Sequence, residues 1–157
     1  MGSPSSFKPS YEGWKQVRQI AAGGIVDGKG IKAALALGAS AVQMGTAFLC
    51  CHEATTSPLH RAALLGAHGR HTALTNLFSG RPARGIVNRL MRELGPLSAL
   101  PPDFPHASGA LAPLRAAAEK MGGSGFSPLW AGQNVSGCRS LAAAELIAAW
   151  VAEAELA

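Results

Sequence analysis

Residues 20–49 read IAAGGIVDGKGIKAALALGASAVQMGTAFL, and the spacing of apolar runs and glycines in this stretch decides the fold. Gln19-Ile20-Ala21-Ala22 is a short strand candidate that runs into Gly23-Gly24. Asp27 is placed to cap a following helix, because a short polar side chain just outside a helix accepts from the free amides of its first turn. In that helix Ile31, Ala34 and Leu35 fall at i, i+3 and i+4, which is one face. Gly38 supplies the stop, since glycine accepts the left-handed backbone that ends helices. Residues 39–44 then read as a second strand ending in Gly45-Thr46, with Ala47-Phe48-Leu49 leading away. Strand, turn, helix, strand and turn in this order predict two parallel strands, because parallel neighbours need a crossover and the crossover is usually helical. Both strands are continuous apolar runs, which predicts a sheet covered on both faces.

The two turns carry the chemistry. Gly24 and Gly45 lie about 21 residues apart, at the ends of adjacent strands. A glycine after a strand lets backbone N–H groups approach an anion with no Cβ in the way. A helix starting there adds its N-terminal amides and its dipole, and Thr46 adds a hydroxyl donor. In β/α barrels the loops after the last two strands commonly form a phosphate site. The simpler reading is that these glycines only permit tight turns, and the residues alone leave both readings open.

Composition bounds the remaining choices. The chain has 157 residues, 48% hydrophobic and 15% charged, with a net charge of +5, which suits one domain with a real core. Disorder is excluded, because disordered chains are poor in apolar residues and rich in charge. Collagen is excluded by the absence of a glycine period. No uncharged apolar run reaches about 18 residues, which excludes a membrane-spanning helix. The start of the chain shows no apolar stretch of a secretory signal. Cys50, Cys51 and Cys138 are odd in number and lack a CxxC spacing, which argues against a disulfide framework and for a reducing compartment, the cytoplasm. Cys50-Cys51-His52 has no second ligand pair, so no metal site is assigned and the cysteines read as an apolar strand end. His52, His60 and His68 recur every eight residues, drift around a helix and read as surface histidines. Arg81, Arg84, Arg89 and Arg92 lack the aromatic interleaving of a nucleic-acid surface and read as a solvated face with a paired loop arginine.

The remainder of the chain reads as helical and irregular. Residues 58–67 predict a short helix with Leu59, Ala62, Ala63 and Gly66 inward. Residues 72–78 are ambiguous between helix and strand. Gly80, Pro82 and Gly85 predict a loop over 79–85. Residues 86–94 predict a helix with Ile86, Val87, Leu90, Met91 and Leu94 on one side. Five of the ten prolines fall in 95–113, which predicts a long loop with polyproline character. A helix follows over 114–121, a break over 122–127 and a short apolar patch, Leu129-Trp130-Ala131-Gly132-Gln133. A terminal helix covers 141–156 with Leu146, Ile147 and Trp150 on its apolar face. Residues 1–18 are polar and without period, and read as a lead-in distinct from 19–157.

Three strings carry a resemblance. IAAGGIVDGKGIKAALALGASAVQMGTAFL, TNLFSGRPARGIVNRLMREL and PLWAGQ, in that order, resemble the nitronate monooxygenase family (also called 2-nitropropane dioxygenases) from about Ile20 to the C-terminus. The resemblance implies an α/β fold: the C-terminal part of a TIM-type β/α barrel, with two barrel strands, an inserted helical domain and a tail. It implies noncovalently bound FMN, with Gly23, Gly24, Gln43, Met44, Gly45 and Thr46 against the flavin phosphate. It implies oxidation of alkyl nitronates by O2 to carbonyl compounds and nitrite, with the flavin taking the electrons. It also places Trp130 and Gln133 at the barrel mouth, where the residues alone read equally well as core.

Two departures bear on activity. A complete barrel needs eight strands and about 250 residues. The family carries its flavin-ring contacts and a catalytic histidine in an N-terminal AGGH-type segment, and none of His52, His60, His68, His71 or His106 follows a Gly-Gly after a strand. No catalytic residue is therefore assigned. Upstream of Ile20 the sequence Lys15-Gln16-Val17-Arg18-Gln19 is too polar for a buried strand, so the resemblance is expected to begin near Ile20, with residues 1–18 foreign to it. The leading reading is an FMN-dependent oxidoreductase with a small nitronate substrate and no nucleic-acid or membrane partner. The alternative is an inactive barrel fragment that binds phosphate or a partner chain. Uncovered strand edges predict self-association in either case.

Overall fold

The computed structural model describes residues 18–156. The lead-in read over 1–18 lies, except for Arg18, outside the described residues. The fold is α/β. β1 (Ile20–Ala22) and β2 (Ala41–Gln43) pair in parallel, with Ile20 opposite Ala41, Ala21 opposite Val42 and Ala22 opposite Gln43. α1 (Gly28–Ala36) is the crossover. The Asp27 side chain caps it, Oδ1 accepting from Gly30 N at 2.8 Å, and Gly38 follows its end with φ +101°.

α5 (Ala143–Leu156) packs along α1. Gly28 makes the contact possible: a Cβ there would run into Trp150 O and come within 2.6 Å of Glu153 Cβ. The Gly28 amide donates to Glu153 Oε2 at 2.9 Å, and Arg139 Nη2 donates to Glu153 Oε1 at 2.8 Å. A 3-10 turn, Thr46–Cys50, leaves β2 and feeds Ala47 into a core with Cys51, Leu146 and Trp150. Phe48 meets Trp150 edge-on at 5.2 Å.

The middle of the chain builds a second, antiparallel sheet. α2 (Pro58–Leu65) and a 3-10 turn (Ala67–Arg70) lead into β3 (Thr72–Thr75), which pairs with β4 (Ala83–Ile86). Residues 129–131 extend this sheet: Ile86 N donates to Leu129 O at 2.8 Å and Ala131 N to Arg84 O at 3.1 Å. α3 (Arg89–Leu94) and α4 (Ala107–Lys120) flank it, over a core of Leu77, Phe78, Leu90 and Met91.

Several expectations are corrected. The parallel sheet is not covered on both faces. Ala21 and Val42 are half-buried, while their strand neighbours are exposed, Ile20 by 60%. α1 covers one face, and among the described residues nothing covers the other. The middle of the chain is not all helical, since β3 and β4 lie within it. The loop expected over 79–85 gives way at Ala83 to β4. Gly85 allows this by having no Cβ, which would sit 3.0 Å from Leu129 O in the adjoining strand. The helix expected from residue 86 starts at Arg89, because Ile86 is held in the sheet and Asn88 Oδ1 caps the helix through Met91 N at 3.3 Å.

The proline-rich loop ends earlier than expected. α4 begins at Ala107 and accommodates Pro113 in its interior. Pro113 and Gly109 are exposed, so the carbonyl that loses its donor faces water. In α2 the buried residue is Leu64; Leu59 and Ala63 are half-buried, and Ala62 and Gly66 are exposed. The terminal helix begins at Ala143, and its Ile147 is 49% exposed beside Leu35 and Val151 in a groove between α1 and α5.

Gly28→Ala is expected to lower stability by about 1–3 kcal/mol through overpacking against α5. Gly109→Ala, exposed in the first turn of α4 with open space around it, is expected to raise it by up to about 1 kcal/mol. Urea unfolding midpoints of the two variants check both signs.

Candidate anion site at the ends of β1 and β2

Parallel pairing puts the C-terminal ends of β1 and β2 on one side, and the register sets Ala22 directly opposite Gln43. The residues immediately beyond are Gly23-Gly24 on one strand and Met44-Gly45-Thr46 on the other. Gly23 and Gly24 have φ of +88° and +74°, where a side chain is strained. Gly45 has φ −120°, which any residue adopts. At all three glycines a Cβ would meet no atom within 4 Å, so the turns border open space and no hydrocarbon fills it.

The six residues singled out from the sequence divide by role. Gly23, Gly24, Gln43 and Gly45 are exposed at the strand ends. Thr46 is half-buried, and its Oγ1 accepts from Gly132 N at 2.8 Å. Met44 brings only its backbone to the turn, since its side chain packs into the core with Leu146 and Trp150. At the N-terminus of α1, Glu153 takes the Gly28 amide and Asp27 takes that of Gly30. The turns and the Thr46 hydroxyl offer further donors for an anion. Gly132 brings the 129–133 segment against this edge. Gln133 is exposed there, while Trp130 packs edge-on against Phe78 at 5.8 Å.

The sequence profile of the nitronate monooxygenase family matches residues 14–153. The chain belongs to this family. Nitronate monooxygenase from Pseudomonas aeruginosa is 47% identical over 135 residues, covering 85% of this chain and 38% of the relative. That of Paraburkholderia phytofirmans is 50% identical over 131 residues, covering 82% of this chain and 36% of the relative. Among solved structures, nitroalkane oxidase from Streptomyces ansochromogenes is similar with TM-score 0.78 and 43% identity, covering 87% of this chain and 39% of that one. FabK from Thermotoga maritima is similar with TM-score 0.65 and 29% identity, covering 87% of this chain and 44% of that one. The chain thus spans 38% and 36% of the lengths of these two curated relatives. The profile match starts at residue 14, ahead of the motif-level likeness that begins at Ile20.

In this nitronate monooxygenase family chain, polar groups that sequence patterns did not single out hold the turn in place. Arg61 on α2 donates to four carbonyls: Cys50 at 2.7 Å, Cys51 at 2.8 Å, Ala54 at 2.6 Å and Thr56 at 3.2 Å. It gathers the end of the Thr46–Cys50 turn and the loop after it. No sequence signal marks this role, because its partners are backbone atoms whose positions only the fold supplies. Glu53 likewise accepts from Ala143 N at 2.9 and 3.1 Å and fixes the start of α5.

His60, read from the sequence as a surface residue, is half-buried, and its Nε2–H donates to Trp130 O at 3.0 Å. A carbonyl only accepts, so this nitrogen carries the proton. His52 and His68 are exposed, as expected. The cysteines close a 3-10 turn rather than a strand. Burial raises the thiols of Cys50 and Cys51, and it pushes Cys138 up to about 12 with help from Cys50. These thiols stay protonated, and Cys138 donates to Thr46 O at 3.4 Å. Among the described residues no group of three or more His, Cys, Asp or Glu is placed to hold a metal.

Burial pushes the His60 imidazole below its ordinary value, and its bond to the Trp130 carbonyl opposes this. The unfolded chain therefore takes up the proton first as pH falls. The stability His60 contributes is complete above about pH 6.5 and is lost as pH drops below it. Urea midpoints measured at pH 7.5 and 5.5 are expected to fall in the wild type, with a smaller fall in His60→Gln.

Proposed function

We propose that Gly23-Gly24 and Gly45-Thr46 grip the phosphate of FMN. On this reading the complete site oxidises alkyl nitronates with O2, giving carbonyl compounds and nitrite. The observation that carries it is the pair of open glycine turns at in-register ends of adjacent parallel strands, with a threonine hydroxyl held beside them. The described residues fit a phosphate: three positions without a Cβ border open space, and a hydroxyl donor stands at the edge. They do not bury it among carboxylates, because Asp27 and Glu153 are engaged by the amides at the start of α1.

When bound, the flavin supplies the electron acceptor for the oxidation. The residues of this chain bind and orient. Gly23 and Gly24 let backbone amides approach the phosphate oxygens closely, the Thr46 hydroxyl donates to them, and Gln43 presents its amide at the end of β2. None of the five histidines takes a catalytic role in this reading. Family membership supports it: curated relatives named nitronate monooxygenase share 47–50% identity with the chain.

The architecture that suits this function is part of a TIM-type β/α barrel, in which further parallel strands continue the β1–β2 sheet. The exposed strand edges then serve as pairing surfaces and promote association when they are left open. Among the described residues no helix is long and apolar enough to cross a membrane. Three free cysteines fit a reducing compartment, and the cytoplasm is the proposed location.

Gly45 gives a direct test, because its φ accepts a side chain and the space around it is empty. FMN titration, followed by quenching of flavin fluorescence, is expected to show saturable binding to the wild type. Gly45→Leu is expected to weaken it at least about tenfold, or 1.4 kcal/mol, with an unchanged unfolding midpoint. A wild-type chain that leaves FMN fluorescence unaltered contradicts the proposal and favours a fragment without flavin chemistry.

A further inference from the structure

We infer that Gly132 is a positioning residue for the flavin phosphate: its amide, donated to Thr46 Oγ1, fixes the threonine hydroxyl as a donor to the ligand and latches the phosphate turn to the antiparallel sheet. This rests on the flavin reading above and adds to it a residue that touches neither phosphate nor substrate.

The geometry is specific. Gly132 N lies 2.8 Å from Thr46 Oγ1, at the short end of the N–H···O range. A threonine hydroxyl has one hydrogen and two lone pairs. Once one lone pair receives the Gly132 amide, the hydroxyl hydrogen cannot serve Gly132 and is left for another acceptor. A hydroxyl that accepts one hydrogen bond is also polarised toward donating the next. A Cβ at 132 would stand 3.1 Å from Thr46 Oγ1, so the oxygen that Gly132 serves would have to give by a few tenths of an ångström.

The amide is itself anchored. The preceding residue, Ala131, donates to Arg84 O at 3.1 Å, and Leu129 O accepts from Ile86 N at 2.8 Å, so residues 129–131 are bonded to the β4 edge of the antiparallel sheet. His60 Nε2–H holds Trp130 O at 3.0 Å from α2. On its other side, the Thr46 carbonyl accepts from Cys138 Sγ at 3.4 Å. The threonine is thus held through its side chain by one strand and through its backbone by the loop that follows. A ligand on the Thr46 hydroxyl restrains the strand ending at Gly132, and by linkage the strand restrains the ligand site.

Amide hydrogen exchange, read by NMR at Gly132 and its neighbours, tests this in the wild type, Thr46→Ser and Thr46→Val. Without ligand, the Gly132 amide is expected to exchange at least about tenfold faster in Thr46→Val than in the other two. Thr46→Ser keeps the acceptor and preserves protection. Saturating FMN is expected to slow Gly132 exchange further in the wild type and in Thr46→Ser. It should do so in neither the Thr46→Val chain nor a wild type given riboflavin. Equal protection in Thr46→Val and Thr46→Ser overturns the latch, and FMN that binds the wild type without changing Gly132 exchange overturns the positioning role. Should Thr46→Val fail to fold, the ligand-dependent comparison in the wild type and Thr46→Ser still decides. Failure of the wild type to bind FMN sinks the flavin reading and the positioning with it. That result is told apart from a failed latch, because ligand-free exchange in Thr46→Ser and Thr46→Val reports the Gly132 bond independently.

Discussion

The parallel register of β1 and β2 is the constraint on which the site depends. Ala22 opposite Gln43 brings two turns, separated in sequence by a full helical crossover, to one edge of one sheet. Shifting the pairing by one residue would turn Ala21 and Val42 out of the layer under α1 and would stagger the glycines. The register is held from outside the sheet as much as within it. α1 lies where it does because Gly28 lets α5 approach at backbone distance, and Glu153 closes the contact through the Gly28 amide and Arg139. α5 thus packs on the crossover helix that joins β1 and β2.

Local signals made the βαβ unit legible. Asp27 at the helix start, Gly38 past its end, and apolar runs closing in glycine each report on residues a few positions away; the cap and the stop are found as read, while the strands are shorter than read, Ile20–Ala22 and Ala41–Gln43. The antiparallel sheet was not legible, because β3 and β4 are short and Pro82 and Gly85 carry turn chemistry. What makes Ala83–Ile86 a strand is its pairing with Thr72–Thr75, joined on the other edge by Leu129 and Ala131 more than 40 residues onward. The same holds for Asn88, whose capping role ends an apparent helix face that began with Ile86 in the sequence. Burial of the parallel strands departs from the pattern for a different reason. An apolar run shows that a strand can be covered on both faces, and the described residues cover only one.

At the site, the residues that border the open space were readable from type and spacing, while those that hold it were not. Glycines after strands announce themselves. Arg61, His60 and Gly132 act through carbonyls and a hydroxyl that no pattern associates with them. Their common feature is that each joins separate segments of the fold around the end of β2. α2 contributes two adjacent residues, His60 and Arg61, that reach the sheet strand and the turn respectively. The edge proposed to hold phosphate is therefore a junction between the βαβ unit and the antiparallel sheet. That placement suits a site whose ligand must be held rigidly while chemistry occurs at its far end.

The most direct measurement of the phosphate grip compares equilibrium binding of FMN with that of riboflavin, which has the same ring system and no phosphate. Two glycine turns and a donating hydroxyl around the phosphate predict a preference for FMN of at least about tenfold, since charge-assisted hydrogen bonds are each worth more than one such factor. Equal affinity for the two flavins would contradict a phosphate grip at the ends of β1 and β2.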